Sequence, residues 1–456
     1  MHSVLILILL SLICAFAKCP NHTLGDTRIL VTLQPGLSLD NAVQHLSAFV
    51  PPSGPAPIAL AFGYDLTILA LTVSMDHVPD AVKNVMCDSA DAIQLARAEG
   101  SGTPNADPRA AWWQANFDAW ARRVELDQVV HVNMPAEALV APTATVQAVS
   151  SVPAAGPSTC IEDPPGNWGL ARISAPNLPL PSAFKFPCPA SAGPARVYIL
   201  DTGIAVDNVD LQGRAELGPT FAPNTTDSSD GYGHGTFVAG LVGGLKYGVY
   251  KAAAMESVRV LGTSGKGDAS AVMQGLHYVQ QQAKQQSSQL TIANMSLGSL
   301  YVATVNDVVN AVSRDGVIVV AAAGNENMDA CLSSPASAKQ AIAVGATTIE
   351  DKLATFSNYG RCVTLLAPGK DITSAWIGSP NAIYTASGTS FSAPLVSGVL
   401  AQYAAVGLIS PGDKVDQVKK VLLERAVRGK IDTSGKTLGS ISRTPNILVQ
   451  SVQSVQ

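Results

Sequence analysis

Three side chains of the types used for nucleophilic catalysis stand in short glycine-containing motifs far apart in the sequence. Asp201 lies in Asp-Thr-Gly-Ile, His234 in Gly-His-Gly-Thr, and Ser390 in Gly-Thr-Ser-Phe-Ser-Ala-Pro. A hydroxyl attacks well only when a base removes its proton, and an imidazole base works best when a carboxylate fixes its tautomer and stabilises the imidazolium. The motifs therefore predict Ser390 as nucleophile, His234 as base and Asp201 as the orienting carboxylate.

A nucleophile of this kind also needs donors for the negative charge that forms on the attacked carbonyl oxygen. Loss of one such donor typically lowers turnover by a factor of about 10²–10³. Asn325 directly follows the apolar run Val-Ile-Val-Val-Ala-Ala-Ala-Gly, and Ser390 directly precedes a long apolar stretch that reads as a helix. The Asn325 amide and the backbone N–H of Ser390 are therefore the predicted donors.

The sequence after residue 168 alternates between short apolar runs and helical stretches. Runs typical of strands buried on both sheet faces lie at 197–200, 258–261, 290–295, 317–322 and 341–344. Helical stretches lie at 236–242, 269–284 and 302–313. This alternation predicts an α/β fold with a doubly wound, mostly parallel sheet. The active crevice of such a sheet lies beyond the carboxyl ends of its strands, which is where Asp201 and Asn325 stand.

The N-terminal part of the chain has a different pattern. Residues 28–33 and 121–130 predict strands, and residues 38–49 and 78–86 predict helices, which together make a small α+β unit. Residues 87–120 fit this unit poorly and are interpreted as an insertion.

Composition suggests where the two units are separated. The stretch between them is rich in Ala, Pro, Val, Ser and Thr with almost no charge, which resists packing and invites proteolysis. We therefore predict a signal peptide at 1–17, a first domain at 18–133, a linker with the maturation site at 134–159 and a second domain at 160–456.

The first residues form an apolar stretch about as long as a secretory h-region, followed by small residues at Ala15 and Ala17. We expect secretion without a membrane anchor, because the run is shorter than the roughly 20 apolar residues needed to cross a bilayer. The chain has 29 Lys plus Arg and 34 Asp plus Glu, a formal net charge of −5. No long run of one sign occurs, so no nucleic-acid partner is expected.

Cysteine usage also favours an extracellular protein. Of seven cysteines, removal of Cys14 with the signal peptide leaves an even number, which favours disulfides over metal ligation. No Cys-x-x-Cys or His-Glu-x-x-His pattern occurs, so no metal site is predicted. Asn21 and Asn224 begin exposed-looking N-glycan acceptor motifs, whereas Asn294 begins one inside a buried-looking strand and is discounted.

Each catalytic motif alone has a simpler interpretation. Asp-Thr-Gly also occurs in aspartic proteases, but their chemistry needs a second such motif, and the segment at Asp432 does not match it. A lone Gly-His-Gly is commonly a turn and a lone Gly-Thr-Ser a helix cap. The serine motif lacks the final glycine of the α/β-hydrolase elbow. Beyond Cys160 the only histidines are His234 and His277, and His277 lies in an amphipathic stretch that favours a packing or surface role.

In their order and spacing the four motifs resemble those of the subtilases, most closely the proteinase K type. His234 stands 33 residues after Asp201, and Ser390 stands 156 residues after His234 and 65 after Asn325. The resemblance covers about residues 168–448. Residues 28–132 more faintly resemble the family's inhibitory propeptide, which assists folding, occupies the cleft and is then cut away.

The chain departs from the family pattern at three positions. Phe237 stands where a second histidine is common, and Leu395 stands where a histidine often follows the proline of the serine motif. Neither position performs the family's chemistry. Thr364 stands where many members carry an aspartate that binds calcium tightly. Because a hydroxyl cannot replace carboxylate charge at a hard cation, we expect no strong calcium site there and no required cofactor.

The resemblance also implies disulfide pairs. Cys331 and Cys362 match a pair that is bridged in aqualysin-like relatives. Cys160 and Cys188, which both lie at the start of the second domain, are assigned as the second pair by elimination. The two remaining cysteines belong to the first domain, and their pairing stays open.

Substrate binding is likewise assigned from the resemblance. The family clamps an extended peptide between two chain edges by strand addition and lines its first side-chain pocket with small residues. The matching positions are Ser264, Gly265, Lys266 and Gly267 on one edge, Ser296, Leu297 and Gly298 on the other, and Ala322, Ala323 and Gly324 in the pocket. Broad cleavage after apolar or aromatic residues is implied.

Together these inferences predict a secreted, monomeric serine endopeptidase. It would hydrolyse proteins and peptides through an acyl-enzyme intermediate and be made as a zymogen inhibited by its own propeptide. The alternative is a catalytically silent relative that acts as a binding protein, and the complete set of motifs argues against it.

Overall fold

The computed structural model describes residues 26–33, 58–61, 66–74, 121–132, 159–162, 164–188, 193–433 and 444–452. The chain divides into two compact units, Met1–Gln128 and Val129–Gln456. The described part of the first unit contains strands β1 to β4, at Asp26–Leu33, Ile58–Ala61, Thr67–Ser74 and Ala121–Leu126.

These four strands form one antiparallel sheet in the order β2-β3-β1-β4. In its middle Val31 pairs with Leu69 on one side and with Val124 on the other. Leu30 and Val31 are fully buried. The predicted strand at 28–33 is therefore confirmed as the centre of this sheet.

The predicted strand at 121–130 is wrong beyond Leu126, where β4 ends. Asp127 donates its N–H to the Arg28 carbonyl at 3.0 Å, and its carboxylate forms an ion pair with the Arg28 guanidinium at 3.1 Å. This turns the chain out of the sheet, and the next residues form a separate strand in the second unit. The predicted helices at 38–49 and 78–86 and the insertion at 87–120 lie outside the described residues.

The strands of the second unit are numbered β5 to β21. They are Val129–Val132, Thr159–Glu162, Phe184–Pro187, Ala195–Asp201, Ala215–Thr220, Ala254–Arg259, Lys266–Asp268, Leu290–Met295, Leu297–Leu300, Val317–Ala322, Ser333–Ser334, Ile342–Thr347, Leu365–Pro368, Ile372–Ala375, Ile383–Ala386, Val427–Arg428 and Ile447–Leu448. Its helices, numbered α1 to α6, are Trp168–Ile173, His234–Gly243, Ala269–Gln285, Ala303–Arg314, Thr389–Ala405 and Val415–Arg425.

The centre of the second unit is a nine-stranded sheet in the order β20-β21-β17-β16-β14-β12-β8-β10-β9. All neighbouring strands are parallel except β20 and β21. Strands β12 and β14 coincide with the predicted runs at 290–295 and 317–322, and both are buried throughout. The predicted doubly wound, mostly parallel α/β fold is confirmed.

Helix α5 is mostly apolar and has no separate polar face, which is typical of a helix enclosed by other elements. Every residue from Thr389 to Ala404 is buried. The helix packs against α2 and against strands β12, β14 and β16. Because it cannot shift without disturbing the core, its first turn holds Ser390 rigidly.

The candidate side chains meet at one edge of this sheet. Asp201 is the last residue of β8, Ser296 follows β12, and Asn325 follows β14 by three residues. Strands β8, β12 and β14 are parallel neighbours, so their carboxyl ends lie side by side. Sheet topology thus explains why residues distant in sequence converge.

The second unit contains two disulfides, one starting from strand β6 and one from a 3-10 helix at Ala330–Leu332. Cys160 is bonded to Cys188 and Cys331 to Cys362, which confirms both predicted pairs. Cys19 and Cys87 lie outside the described residues. None of the helices in the described ranges combines the length and the apolar character needed to cross a membrane.

Candidate active site

Asp201 and His234 form a buried pair. His234 Nδ1 lies 2.8 Å from Asp201 Oδ1, and both side chains are fully buried. The N–H of Thr202 also donates to Asp201 Oδ1 at 2.7 Å. Residue 235 must be glycine for this approach, because a Cβ there would lie 2.1 Å from the Gly203 carbonyl oxygen. A carboxylate bound to one imidazole nitrogen leaves the other nitrogen, Nε2, as the basic atom.

Ser390 lies in the first turn of α5, beside this pair. The ring of Phe391, the next residue, has its centroid 5.7 Å from that of His234. The Ser390 hydroxyl donates to the Ser296 carbonyl at 2.9 Å, while His234 Nε2 is buried and has no hydrogen-bond partner among the described residues. The Ser390 hydroxyl thus bonds the Ser296 carbonyl, and no hydrogen bond joins it to the imidazole Nε2. Such looser geometry is common before substrate binds.

A proline inside α5 accounts for a second contact between Ser390 and Ser296. Pro394 has no N–H, so the carbonyl of Ser390, four residues earlier, has no helical donor. The Ser296 hydroxyl fills this role at 2.7 Å. Asn294 Nδ2 in turn donates to that hydroxyl at 3.0 Å, and Ser397 Oγ donates to Asn294 Oδ1 at 2.8 Å. A proline within an apolar helix was the available sequence signal for this network, which sequence reasoning missed.

Asn325 is tied to the residue before the serine. Its Oδ1 accepts the N–H of Thr389 at 2.9 Å and the Thr389 hydroxyl at 3.0 Å. Fixing the oxygen fixes the plane of the amide, so the Nδ2 donor faces away from Thr389. Gly324 has φ +104, and a Cβ there would lie 2.2 Å from Asn358 Nδ2, so no other residue fits before Asn325.

The two predicted peptide-binding edges hold a strand of the chain itself. Strand β5, Val129–Val132, is antiparallel to both β11 and β13 and lies between them. Its residue His131 pairs with Lys266 on one side and Gly298 on the other. The ladder also pairs Gly267 with Val130 and Leu297 with Val132, and Gly265 accepts the N–H of Val132 at 3.0 Å. Ser264 is exposed and outside this ladder, and the predicted pocket residues Ala322 and Ala323 are buried at the end of β14.

Side chains of β5 alternate between the protein and solvent. Val130 and Val132 are 3% and 9% exposed, whereas Val129 is 55% exposed. Val132 lies beside Gly265 and Tyr232: a Cβ on Gly265 would be 3.0 Å from the Tyr232 ring and 3.3 Å from a Val132 methyl. Burial, with a smaller contribution from Asp201, raises the pKa of Tyr232. Tyr232 therefore presents a neutral ring to this side of the cleft, a role that sequence reasoning missed.

Phe237 and Leu395, which stand where the family often has histidines, both pack in the apolar interior. Phe237 is fully buried, with its ring centroid 4.3 Å from Phe391 and 6.1 Å from Trp376. Leu395 lies in the main hydrophobic core. His277 is half-buried on α3, where Gln281 Nε2 lies 3.1 Å from its Nε2 and burial lowers its pKa.

The position of the expected calcium ligand does not fit a strong cation site. Thr364 Oγ1 accepts the N–H of Ala343 at 3.1 Å, and the N–H of Thr364 donates to the Ala343 carbonyl at 2.8 Å. The hydroxyl is thus engaged by the backbone and supplies no negative charge. The described residues contain no group of three or more His, Cys, Asp or Glu side chains that could hold a metal ion.

The predicted glycan acceptors differ in accessibility. Asn224 is exposed in the loop after β9, and Asn294 is fully buried in β12. Asn21 lies outside the described residues.

Comparison with known proteins agrees with this geometry. A profile of the subtilase family matches residues 195–442. Subtilisin-like serine protease Pen c 2 of Penicillium citrinum is 40% identical over 62% of this chain and 64% of its own length. Alkaline protease 2 of Aspergillus fumigatus is 40% identical over 62% of this chain and 59% of its own. The chain thus spans less than two thirds of these relatives.

A solved structure gives the same result for the fold. The crystal structure of a cold adapted subtilisin-like serine proteinase is 38% identical, with a TM-score of 0.56, and the match covers 62% of this chain and 98% of that one. The sheet, the Asp201–His234 pair and the family profile lead to one assignment: the chain belongs to the subtilase family.

Proposed function

We propose that this protein is a serine endopeptidase made as a precursor that its own N-terminal part inhibits. The observation that carries the proposal is strand β5. It occupies the groove between β11 and β13 as an extended peptide, directly beside Ser296, whose carbonyl accepts the Ser390 hydroxyl. A groove that binds one peptide strand by main-chain pairing can bind others, which is the binding mode an endopeptidase needs.

The proposed reaction uses each atom of the site in turn. Ser390 Oγ attacks the substrate carbonyl carbon while His234 Nε2 takes its proton, and Asp201 stabilises the resulting imidazolium. Asn325 Nδ2 and the Ser390 N–H bind the oxyanion. The imidazolium then protonates the leaving amine as the peptide C–N bond breaks. Water attacks the acyl-enzyme with the same base, which releases the acid and restores Ser390.

The proposed specificity follows from the alternation in β5. Main-chain pairing does not depend on sequence, so cleavage is broad. Inward positions equivalent to Val130 and Val132 favour small or branched apolar side chains, because those two residues are almost fully buried. The small residues Ala322, Ala323 and Gly324 support an apolar or aromatic preference in the first pocket.

Self-inhibition and maturation rest on the register of β5. Val132 pairs with Leu297, so a peptide that continues this antiparallel register by one residue has its next residue opposite Ser296. We expect the chain to cut itself at the bond after residue 133, which lies just beyond the described strand. The released N-terminal part would stay bound as a product-like inhibitor until it is degraded.

We further propose that the enzyme is secreted, monomeric and glycosylated at Asn21 and Asn224. Two disulfides support an oxidising compartment. Every catalytic group comes from one chain, which supports a monomer. N-terminal sequencing, glycosidase treatment and size-exclusion chromatography of secreted material test these points; a retained N-terminus or a stable dimer would contradict them.

The proposed enzyme has no strong calcium site at Thr364. A chelator is therefore expected to leave the melting temperature of the mature protein unchanged. A large fall on chelation, reversed by added calcium, would contradict this.

The decisive experiment compares the wild type with Ser390→Ala and a control, Ser387→Ala. Ser387 lies on the loop before α5, where its hydroxyl contacts Asp371 and no catalytic group. Wild type and control should process themselves, hydrolyse casein and be labelled by a fluorophosphonate probe. Ser390→Ala should stay full length and inert. Correctly processed wild type that neither labels nor cleaves would support the silent binding protein instead.

A further inference from the structure

Asp230 lies in the loop before α2 and reaches the residue that follows Asp201. The Thr202 hydroxyl donates to Asp230 Oδ1 at 2.8 Å and accepts the N–H of Gly235, the residue after His234, at 3.0 Å. Thr202 is fully buried, and its own N–H binds Asp201 Oδ1. A continuous hydrogen-bonded path therefore connects the Asp201 carboxylate, Asp230 and the start of α2.

Asp230 also caps α2 in place of the residue at the N-cap position. That residue is Gly233, which has no side chain to accept a hydrogen bond. Instead Asp230 Oδ1 accepts the N–H groups of Tyr232 at 2.9 Å and Gly233 at 2.8 Å. Its Oδ2 accepts the N–H of Thr236 at 2.9 Å and the Thr236 hydroxyl at 2.6 Å. A carboxylate at a helix N-terminus is favourable, and here it fixes the turn that carries His234.

The backbones around Asp230 have little room to move. A Cβ on Gly203 would lie 2.3 Å from the Ser229 carbonyl oxygen, and a Cβ on Gly235 would lie 2.1 Å from that of Gly203. Arg259 Nη1 holds the Ser229 carbonyl from the other side at 2.8 Å. In such tight packing we expect a lost contact to shift the Asp201 and His234 segments against each other, and a misplacement of about 1 Å can cost a factor of about 10² in rate.

We propose that Asp230 is a positioning residue that maintains the contact between Asp201 and His234. It acts through Thr202 on one side and through the first turn of α2 on the other. Its effect on catalysis rests on the proposed function, whereas its effect on the contact does not. Asp230→Asn keeps the shape of the side chain but turns one acceptor oxygen into an NH₂ group that faces donors. We expect kcat to fall by a factor of about 10–100 and KM to change by less than about twofold.

Variants of Thr202 and Asp227 separate positioning from general stability. Thr202→Val is nearly isosteric but lacks the hydroxyl, so it should lower kcat as Asp230→Asn does. Thr202→Ser keeps the hydroxyl and should restore most of the activity. Both changes break the same hydrogen-bonded path. The fall in kcat of the double variant, Asp230→Asn with Thr202→Val, should therefore be much smaller than the product of the two single falls. Asp227→Asn is the matched control, since Asp227 is an exposed carboxylate of the same loop that binds only Ser229 among the hydrogen-bond partners found for it.

A readout independent of activity completes the test. In full-length Ser390→Ala protein labelled with ¹⁵N-histidine, the Nδ1–H of His234 should give a low-field NMR resonance. Asp230→Asn and Thr202→Val should broaden it or move it upfield, and Asp227→Asn should leave it unchanged. An inert wild type with these NMR effects intact would refute the proposed function and support this inference. The inference would be overturned if Asp230→Asn changed neither the His234 resonance nor kcat and only lowered the melting temperature. Asp230 would then be a helix cap and nothing more.

Discussion

Asn325 uses the two ends of its side chain for different tasks. Its oxygen binds the backbone and hydroxyl of Thr389, which orients the residue next to Ser390, and its nitrogen is the proposed donor to the oxyanion. One amide group therefore both orients the segment before Ser390 and carries the proposed donor. Substitutions that remove only the orientation or only the donor can separate the two roles.

We expect Asn325→Ala to lower kcat by a factor of about 10²–10³ with little change in KM, because the donor acts on a charge that exists only in the transition state. Thr389→Val is the control: it removes a hydroxyl that binds Asn325 Oδ1 and the N–H of Gly324, and so tests the orientation of this segment, but keeps the backbone bond to Asn325 Oδ1 and the donor itself. Steady-state kinetics on a peptide substrate measure both. A loss of similar size in Thr389→Val would show that orientation, and not charge stabilisation, dominates.

The sequence identified the residues of the site but not the hydrogen bonds between them. Motif order identified Asp201 and His234, and the structure brings them to 2.8 Å. The exchange of hydrogen bonds between Ser296 and Ser390 was not predictable, because it joins residues 94 positions apart and depends on a missing N–H at Pro394. Asp230 was missed for a related reason: a carboxylate three residues before a glycine N-cap has no local signature that distinguishes it from a loop aspartate.

Among the elements, the fully buried strands β12 and β14 were predictable from the sequence, whereas β5, β11 and β13 had no clear strand pattern. Strands β12 and β14 are buried on both faces, so their mainly apolar runs marked both ends. Strand β5 was merged with β4 because apolar alternation continues across Asp127, and only the ion pair with Arg28 shows the break. Strands β11 and β13 were predicted as binding edges by resemblance, since glycine-rich segments carry no strand pattern of their own.

The antiparallel pair of strands β6 and β7 packs beside a buried ion pair. Lys251 is 3% exposed, its Nζ lies 2.7 Å from Glu162 Oε2, and it sits 5.6 and 5.5 Å from the ring centroids of Phe184 and Phe186. Burial lowers the pKa of Lys251, and the charge of Glu162 opposes this effect. The ammonium is therefore tolerated in the interior mainly because Glu162 balances it.

Glu162→Gln should thus destabilise the second unit by about 3–5 kcal/mol, because it leaves a buried charge without its partner. Lys251→Met removes that charge and should cost less, since Glu162 keeps an ion pair with Lys246 at 3.2 Å. Urea unfolding in the Ser390→Ala background, which prevents self-digestion, measures both. Equal losses, or a larger loss for Lys251→Met, would contradict this account of the ion pair.

In the second unit, buried tyrosine side chains limit the stability of the folded state at high pH. Burial raises the pKa to about 12 for Tyr198, Tyr247, Tyr250 and Tyr403. In the unfolded chain the tyrosine pKa is about 10, so between these values the folded state holds more protons. Stability is then complete below about pH 10 and falls as the pH rises toward 12. The effect belongs to no single element, because these tyrosines lie on different strands, loops and helices.

Tyr403 gives the sharpest test of this limit, since its hydroxyl donates to the Gln450 carbonyl at 2.8 Å and a phenolate cannot donate. In the Ser390→Ala background we expect Tyr403→Phe to lower the stability at pH 8 by about 1 kcal/mol through the lost hydrogen bond. Between pH 10 and 12 its melting temperature should fall less steeply than that of the parent, because one titrating group is gone. A Tyr403→Phe curve parallel to the parent's through this range would show that alkaline unfolding arises from groups other than the buried tyrosines.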